Sequence, residues 1–157
     1  MREAKQVALV AHDNRKKGLA EWVAWNYRTL LKHDLICTGT TGTMIEGVLA
    51  ESLAAADSGG KSKTVTKLKS GPLGGDQQLG AMIAEGKIDI LIFFWDPMQP
   101  QPHDVDVKAL LRIAVVYNIP VACNRSSADF IISSHLIKEI YEPRLNDYSG
   151  YLERKLD

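Results

Sequence analysis

Apolar residues recur along this chain with two different periods. Short apolar runs of strand length predict five β-strands, at 6–11, 35–38, 64–68, 88–94 and 120–123. Between them, apolar residues at helical spacing predict helices over 16–31, 43–56, 77–85 and 104–117. A capping-box-like Ser126 opens a short helix, and a last helix is predicted over 144–156.

Strands that alternate with helices predict a parallel sheet covered on both faces. The run at 88–94 is almost continuously apolar, as expected for a central strand. We therefore predict a single α/β domain over residues 1–157. Its fold class is a three-layer αβα sandwich with a mostly parallel, doubly wound sheet. In such folds ligands bind at the carboxyl ends of the strands.

Composition narrows the classes of partner. The 157 residues carry no formal net charge and have a pI of about 6.9, so we expect no nucleic acid and no anionic membrane as partner. No apolar run has the length of a membrane span or of a signal peptide. Cys37 and Cys123 match no zinc spacing, which predicts two reduced, buried thiols in a cytoplasmic protein. The glycine-rich stretch at 57–63 predicts a mobile surface loop.

Four polar turns follow predicted strands and should meet at one edge of the sheet. They begin at His12, Thr38, Ser70 and Asp96. In the third turn Asp76 comes directly after two glycines, at the predicted start of a helix. A carboxylate there can act as a base in a pocket or as a simple N-cap. The clustering of four such turns predicts a binding pocket.

Each turn indicates some chemistry and excludes other kinds. The run at 38–42 suits a phosphate monoester or a capped helix, but matches neither a Walker A loop nor a dinucleotide fingerprint. Asp96 precedes a proline, where aspartate is common in turns. Asp106 can orient His103 or cap a helix. We expect no metal, because no compact ligand motif is present. His33 and His135 are expected in solvent.

Together the parts suit proton abstraction next to the carbonyl of a small phosphorylated sugar. Five motifs add a resemblance: Ala-His-Asp, Thr-Gly-Thr-Thr-Gly, Ser-Gly-Pro-Leu-Gly-Gly-Asp-Gln-Gln, Leu-Ile-Phe-Phe-Trp-Asp-Pro and Pro-His-Asp-Val-Asp-Val-Lys. In this order and spacing the chain resembles the methylglyoxal synthase family over nearly its full length. The resemblance implies conversion of dihydroxyacetone phosphate to methylglyoxal and inorganic phosphate, without a metal or organic cofactor.

The same resemblance implies a role for each matched residue. Asp76 becomes the catalytic base and His103 the electrophilic partner, with Asp106 and Asp96 around it. Asp13 and His12 line the pocket, and the phosphate binders are Lys16, Thr38, Gly39, Thr40, Thr41, Ser70 and Gly71. The family also implies a homohexamer inhibited by inorganic phosphate, in which Arg154 reaches a neighbouring subunit's phosphate site. The alternative is a non-catalytic regulatory domain of the same fold that binds a small effector.

Overall fold

One parallel sheet forms the middle of the molecule. The computed structural model of the protein describes residues 1–56, 63–100, 104–145 and 147–153. The strands are β1 (Gln6–Ala11), β2 (Asp34–Thr38), β3 (Thr66–Leu68), β4 (Ile90–Phe94) and β5 (Val121–Ala122). Their order is β3-β2-β1-β4-β5, and every neighbouring pair is parallel. The predicted parallel, doubly wound sheet is confirmed.

Helices connect the strands. They are α1 (Lys16–Leu30), α2 (Gly39–Ala55), α3 (Gly75–Ala84), α4 (Asp104–Val116), α5 (Arg125–Ser133) and α6 (Ser149–Leu152). Short 3-10 turns lie at Asp13–Arg15, Gly71–Leu73 and His135–Lys138. None of the helices in the described ranges has the length and apolarity needed to span a bilayer.

Each face of the sheet has its own apolar core. Leu9 and Ile92 point to the face that α1, α2 and α5 cover, while Ala8 and Leu91 point to the face that α3 and α4 cover. Successive strand residues point to opposite faces, so a strand covered on both sides must be apolar throughout. All five residues of β4 are indeed buried. The predicted three-layer arrangement is confirmed.

Several helix ends differ from the predicted ones. Helix α2 begins at Gly39, four residues earlier than predicted, and α3 begins at Gly75, two residues earlier. Helix α5 is capped by Asn124, whose Oδ1 accepts a hydrogen bond from the backbone N–H of Ser127 at 2.9 Å, so the predicted Ser126 cap is wrong. In the described part of the C-terminal segment, helix is confined to Ser149–Leu152. The predicted loop at 57–63 lies, apart from residue 63, outside the described residues.

The amino ends of the strands hold two buried charged or titratable side chains. His33 is only 2% exposed, so the prediction of a solvated His33 is wrong, whereas His135 is exposed as predicted. The backbone N–H of Lys5 donates to His33 Nδ1 at 3.2 Å. Lys5 is also buried, and its Nζ donates to the carbonyl oxygens of Arg2, at 2.7 Å, and Glu139. Burial, followed by the nearby Lys5 charge, lowers the pKa of His33.

Candidate active site

A cavity of about 260 Å³ opens at the carboxyl ends of β1 and β2 and beside the turn that follows β3. It collects ten of the residues predicted from the sequence: His12, Asp13, Lys16, Thr38, Gly39, Thr40, Thr41, Ser70, Gly71 and Asp76. Four lining residues were not predicted, namely Val10, Ala11, Pro72 and Phe93. Pro72 lies within a motif already identified, and Val10 and Ala11 end the first strand. Phe93 could have been found from its place near the end of the most apolar strand.

One half of the cavity is suited to an anion. Thr38 is the N-cap residue of α2 and has extended backbone angles, and Gly39 follows it with φ +41°. The first backbone N–H groups of a helix have no partner within the helix, and the helix dipole favours negative charge there. Thr38 and Thr41 are buried along the cavity wall. This half therefore offers hydroxyl and backbone donors at a helix N-terminus.

Lys16 adds a positive charge to the same half. Its Nζ donates to Thr40 Oγ1 at 2.7 Å and pairs with Asp13 Oδ1 at 2.6 Å. The hydrogen bond and the charge of Lys16 lower the pKa of Asp13. Lys16 is therefore held at the start of α2 by Thr40 and by the exposed carboxylate of Asp13.

The other half of the cavity carries Asp76, which is 4% exposed. It is the second residue of α3, and the N-cap position belongs to Gly74, whose φ is +97°. Asp76 is thus not the N-cap that the sequence left open as an alternative. In the first turn of a helix its carboxylate faces the positive end of the dipole. The structure therefore places a buried carboxylate on the cavity wall at the start of α3.

The backbone at 69–70 sets the spacing of the two halves. The N–H of Gly39 donates to the Lys69 carbonyl at 3.1 Å, and the N–H of Gly75 donates to the Ser70 carbonyl at 2.9 Å. A Cβ at Gly75 would lie 2.1 Å from the Lys69 oxygen, and one at Gly39 would lie 2.9 Å from Ser70 Cα. Glycine is required at both positions because the starts of α2 and α3 approach this backbone so closely.

His12 follows β1 and lies 7% exposed on the cavity wall. The backbone N–H of Asp96 donates to His12 Nδ1 at 3.2 Å, and the ring packs edge-on against Phe93 with centroids 5.1 Å apart. Because Nδ1 is the acceptor, the neutral ring carries its proton on Nε2. His12 is therefore oriented as a hydrogen-bond donor through Nε2.

The carboxylate of Asp96 lies outside the cavity. It accepts instead from Met98 N–H at 3.2 Å, Asn14 Nδ2 at 3.3 Å and Arg15 at 3.4 Å. The Met98 N–H, with Asn14 and Arg15, lowers the pKa of Asp96. Asp96 thus contacts the site through its backbone N–H, which donates to His12. Sequence reasoning missed Asn14 and Arg15, although both follow directly on His12 and Asp13.

Of the remaining predicted residues the structure describes Asp106, which does not line this cavity. Asp106 lies in the first turn of α4 and borders a groove between α3 and α4 that Asp76 also borders. His103 and Arg154 lie outside the described residues.

Neither thiol is suited to covalent chemistry. Cys37 is buried, and burial raises its pKa to about 12; burial also raises the pKa of the half-buried Cys123. Over the described ranges, no three histidine, cysteine or acidic side chains are grouped so that they could hold a metal ion.

Comparison with known proteins identifies the family. The model of the MGS-like domain matches residues 18–123, about two thirds of the chain. A methylglyoxal synthase of Maridesulfovibrio salexigens is 58% identical over 157 residues, covering 99% of this chain and 100% of that protein. This chain belongs to the methylglyoxal synthase family. A methylglyoxal synthase of Saccharophagus degradans is 56% identical over 96% of this chain and 90% of its own length.

A solved structure agrees with the fold of this family member. The crystal structure of methylglyoxal synthase from Elizabethkingia anophelis NUHP1 matches with a TM-score of 0.85 and 50% sequence identity. The match covers 100% of this chain and 95% of that chain. The three-layer architecture is therefore that of a solved methylglyoxal synthase.

Proposed function

We propose that this protein is a methylglyoxal synthase, a lyase that converts dihydroxyacetone phosphate to methylglyoxal and inorganic phosphate. The observation that carries the proposal is a single cavity that joins an anion-binding helix start to the buried carboxylate of Asp76. A phosphate held at one end would bring the rest of a three-carbon substrate toward that carboxylate. Family membership supports the same assignment.

The first step is proton abstraction. The start of α2 and Lys16 hold the substrate phosphate, and Asp76 removes a proton from the hydroxymethyl carbon. The electron pair of that C–H bond forms a C–C double bond, and the carbonyl oxygen becomes an enediolate oxygen. His12 donates from Nε2 to the developing charge, and we assign the same kind of role to His103.

Phosphate leaves in the second step. The enediol hydroxyl gives its proton to the departing phosphate, and the electron pair of that O–H bond forms the aldehyde carbonyl. The C–C double bond shifts to the terminal carbon, and the C–O bond breaks so that its electron pair leaves with phosphate. The resulting enolate takes up a proton at its terminal carbon and gives methylglyoxal. This elimination requires the C–O bond to stand out of the enediolate plane, so that the breaking bond overlaps the π electrons. We attribute that torsion to the donors at the start of α2 together with Ser70 and Gly71.

The decisive experiment replaces Asp76 and leaves the helix intact. Asp76→Asn keeps the shape of the side chain but removes the base, so kcat for methylglyoxal formation should fall by about 10²–10⁴-fold. Inorganic phosphate binding, measured by calorimetry, should persist. The matched control is Glu85→Gln, because Glu85 is an exposed carboxylate at the opposite end of the same helix.

Wild-type turnover in Asp76→Asn would contradict the mechanism. Phosphate binding by the wild-type protein without any methylglyoxal from dihydroxyacetone phosphate would instead support the non-catalytic effector-binding domain.

We propose two further properties from the family resemblance. Inorganic phosphate inhibits the enzyme by occupying the same donors, and the chain assembles as a homohexamer in which Arg154 enters a neighbour's phosphate site. Exposed apolar side chains such as Trp25 and Phe130 support an assembly, since both are at least 80% exposed in the isolated chain. Light scattering measures the assembly directly. The cytoplasmic location stays a prediction.

A further inference from the structure

A second cleft lies on the other face of the sheet from the candidate active site. It has a volume of about 470 Å³ and opens between the start of α1 and the start of α5. Phe94 lines it, whereas the neighbouring Phe93 lines the active-site cavity, so the two spaces lie on opposite faces of β4. The cleft is at the carboxyl edge between β1 and β4. At this point the strand order reverses, and ligands bind there in folds of this kind.

The cleft is lined by three cations and one carboxylate. Arg15, Lys17 and Arg125 supply the positive charges, and Glu21 approaches Arg125 with its Oε2 3.7 Å from Nη1. Trp95 and Asn124 add an aromatic wall and an amide. Three cations against one lining carboxylate make the cleft positively charged, which favours a small dianion because a charged cleft raises the local concentration of counter-ions.

A hydrogen bond holds together the two helices that form the walls of the cleft. Trp22 is fully buried on α1, and its Nε1 donates to Asp129 Oδ1 on α5 at 2.8 Å. This contact ties the two helices together, so the cationic side chains are presented from a defined framework. A cavity with a fixed frame costs a ligand less ordering entropy than one that must first assemble.

Arg15 connects the cleft to the active-site cavity. It lines the cleft and also contacts the Asp96 carboxylate at 3.4 Å. The backbone N–H of the same Asp96 donates to His12 Nδ1. A dianion in the cleft competes with Asp96 for Arg15, and the loss of that contact removes one of the three contacts that hold Asp96 beside His12.

We infer that the cleft is a second anion site, which binds a small dicarboxylate or phosphorylated metabolite and lowers catalytic turnover through Arg15, Asp96 and His12. The binding part stands by itself. The effect on turnover rests on the proposed function, so a protein without synthase activity would still bind the dianion.

Calorimetry on the intact protein separates the two sites. Inorganic phosphate and malonate serve as probes for the phosphorylated and dicarboxylate sources. Wild type should bind two phosphates per chain, and Lys16→Gln should retain the cleft site. The double variant Lys17→Gln/Arg125→Gln should weaken binding at the cleft by about tenfold or more. It removes two positive charges, and hydrogen bonds from charged donors are roughly twice as strong as those from neutral donors. Glu21→Gln should strengthen it.

The control is Lys108→Gln, which removes an exposed lysine on α4 that pairs with Asp104. Malonate should lower the kcat of wild type and of Lys108→Gln but not that of the double variant, because competition in the active site alone would raise KM and leave kcat unchanged. A single phosphate site that disappears in Lys16→Gln, with the double variant matching Lys108→Gln, would overturn the cleft site. Binding at the cleft with an unchanged kcat would overturn its coupling to catalysis.

Discussion

Replacing Gly75 by alanine tests the close approach of α3 to the phosphate half of the site. The added Cβ would lie 2.1 Å from the Lys69 oxygen and 2.9 Å from two backbone carbons, whereas an ordinary contact begins at 3.4 Å. The separation must therefore grow from 2.1 to 3.4 Å, by about 1.3 Å. Since these atoms are backbone, no side-chain rotation can relieve the overlap.

A shift of this size moves Asp76 relative to the start of α2. Misplacement of a catalytic group by about 1 Å can reduce the rate by about 10²-fold, so Gly75→Ala should lower kcat by at least that much. It also strains the hydrogen bond from Gly75 N–H to the Ser70 carbonyl, which should cost about 1–3 kcal/mol. For a chain of this length each kcal/mol lowers Tm by about 2–4 °C.

The assay combines steady-state kinetics of methylglyoxal formation with thermal unfolding. Gly80→Ala is the matched control on the same helix, since a Cβ there meets no atom of the described residues within 4 Å. It should leave kcat unchanged and raise stability by up to about 1 kcal/mol. The reasoning is refuted if Gly75→Ala folds with wild-type Tm and turns over as fast as Gly80→Ala.

Three further predictions concern charge and ligands. Asp13→Asn should strengthen phosphate inhibition, because it releases Lys16 and removes a negative charge; an unchanged inhibition constant would contradict this. Folding lowers the pKa of His33 and so favours its neutral form. The free energy of unfolding should therefore be highest above pH 6.5 and should decrease below that pH by at most about 1.4 kcal/mol per pH unit. Denaturant titrations of His33→Gln should show a flatter pH dependence, and parallel curves would refute that. Activity should survive EDTA, and restoration of lost activity by a divalent ion would show otherwise.

The strands and the cavity could be predicted from the sequence because each depends on local pattern. Strand β1 has the bounds that its apolar run predicts, and three of the four polar turns at strand ends meet in one cavity. The start of α2 was predicted too late because a Thr-Gly-Thr-Thr-Gly run has low helix propensity. In the structure this run opens the helix directly, since Gly39 adopts a positive φ against Ser70.

Other features depend on contacts between distant parts of the chain. His33 follows a helix at a position that a sequence pattern assigns to solvent, but it is buried beside Lys5, 28 residues away. Asp96 was expected in the cavity, but Asn14 and Arg15, more than 80 residues earlier, hold its carboxylate elsewhere. No local period or motif contains such information.

Strand β3 has three residues and lies at the edge of the sheet, yet the backbone that follows it contacts both ends of the substrate cavity. The first residues of α2 and α3 both donate backbone hydrogen bonds to the adjacent residues Lys69 and Ser70. A small displacement of this edge would therefore carry the phosphate donors and Asp76 together, and the distance between them would change little. We therefore expect insertions in the chain before β3 to leave the distance between the two halves of the cavity unchanged.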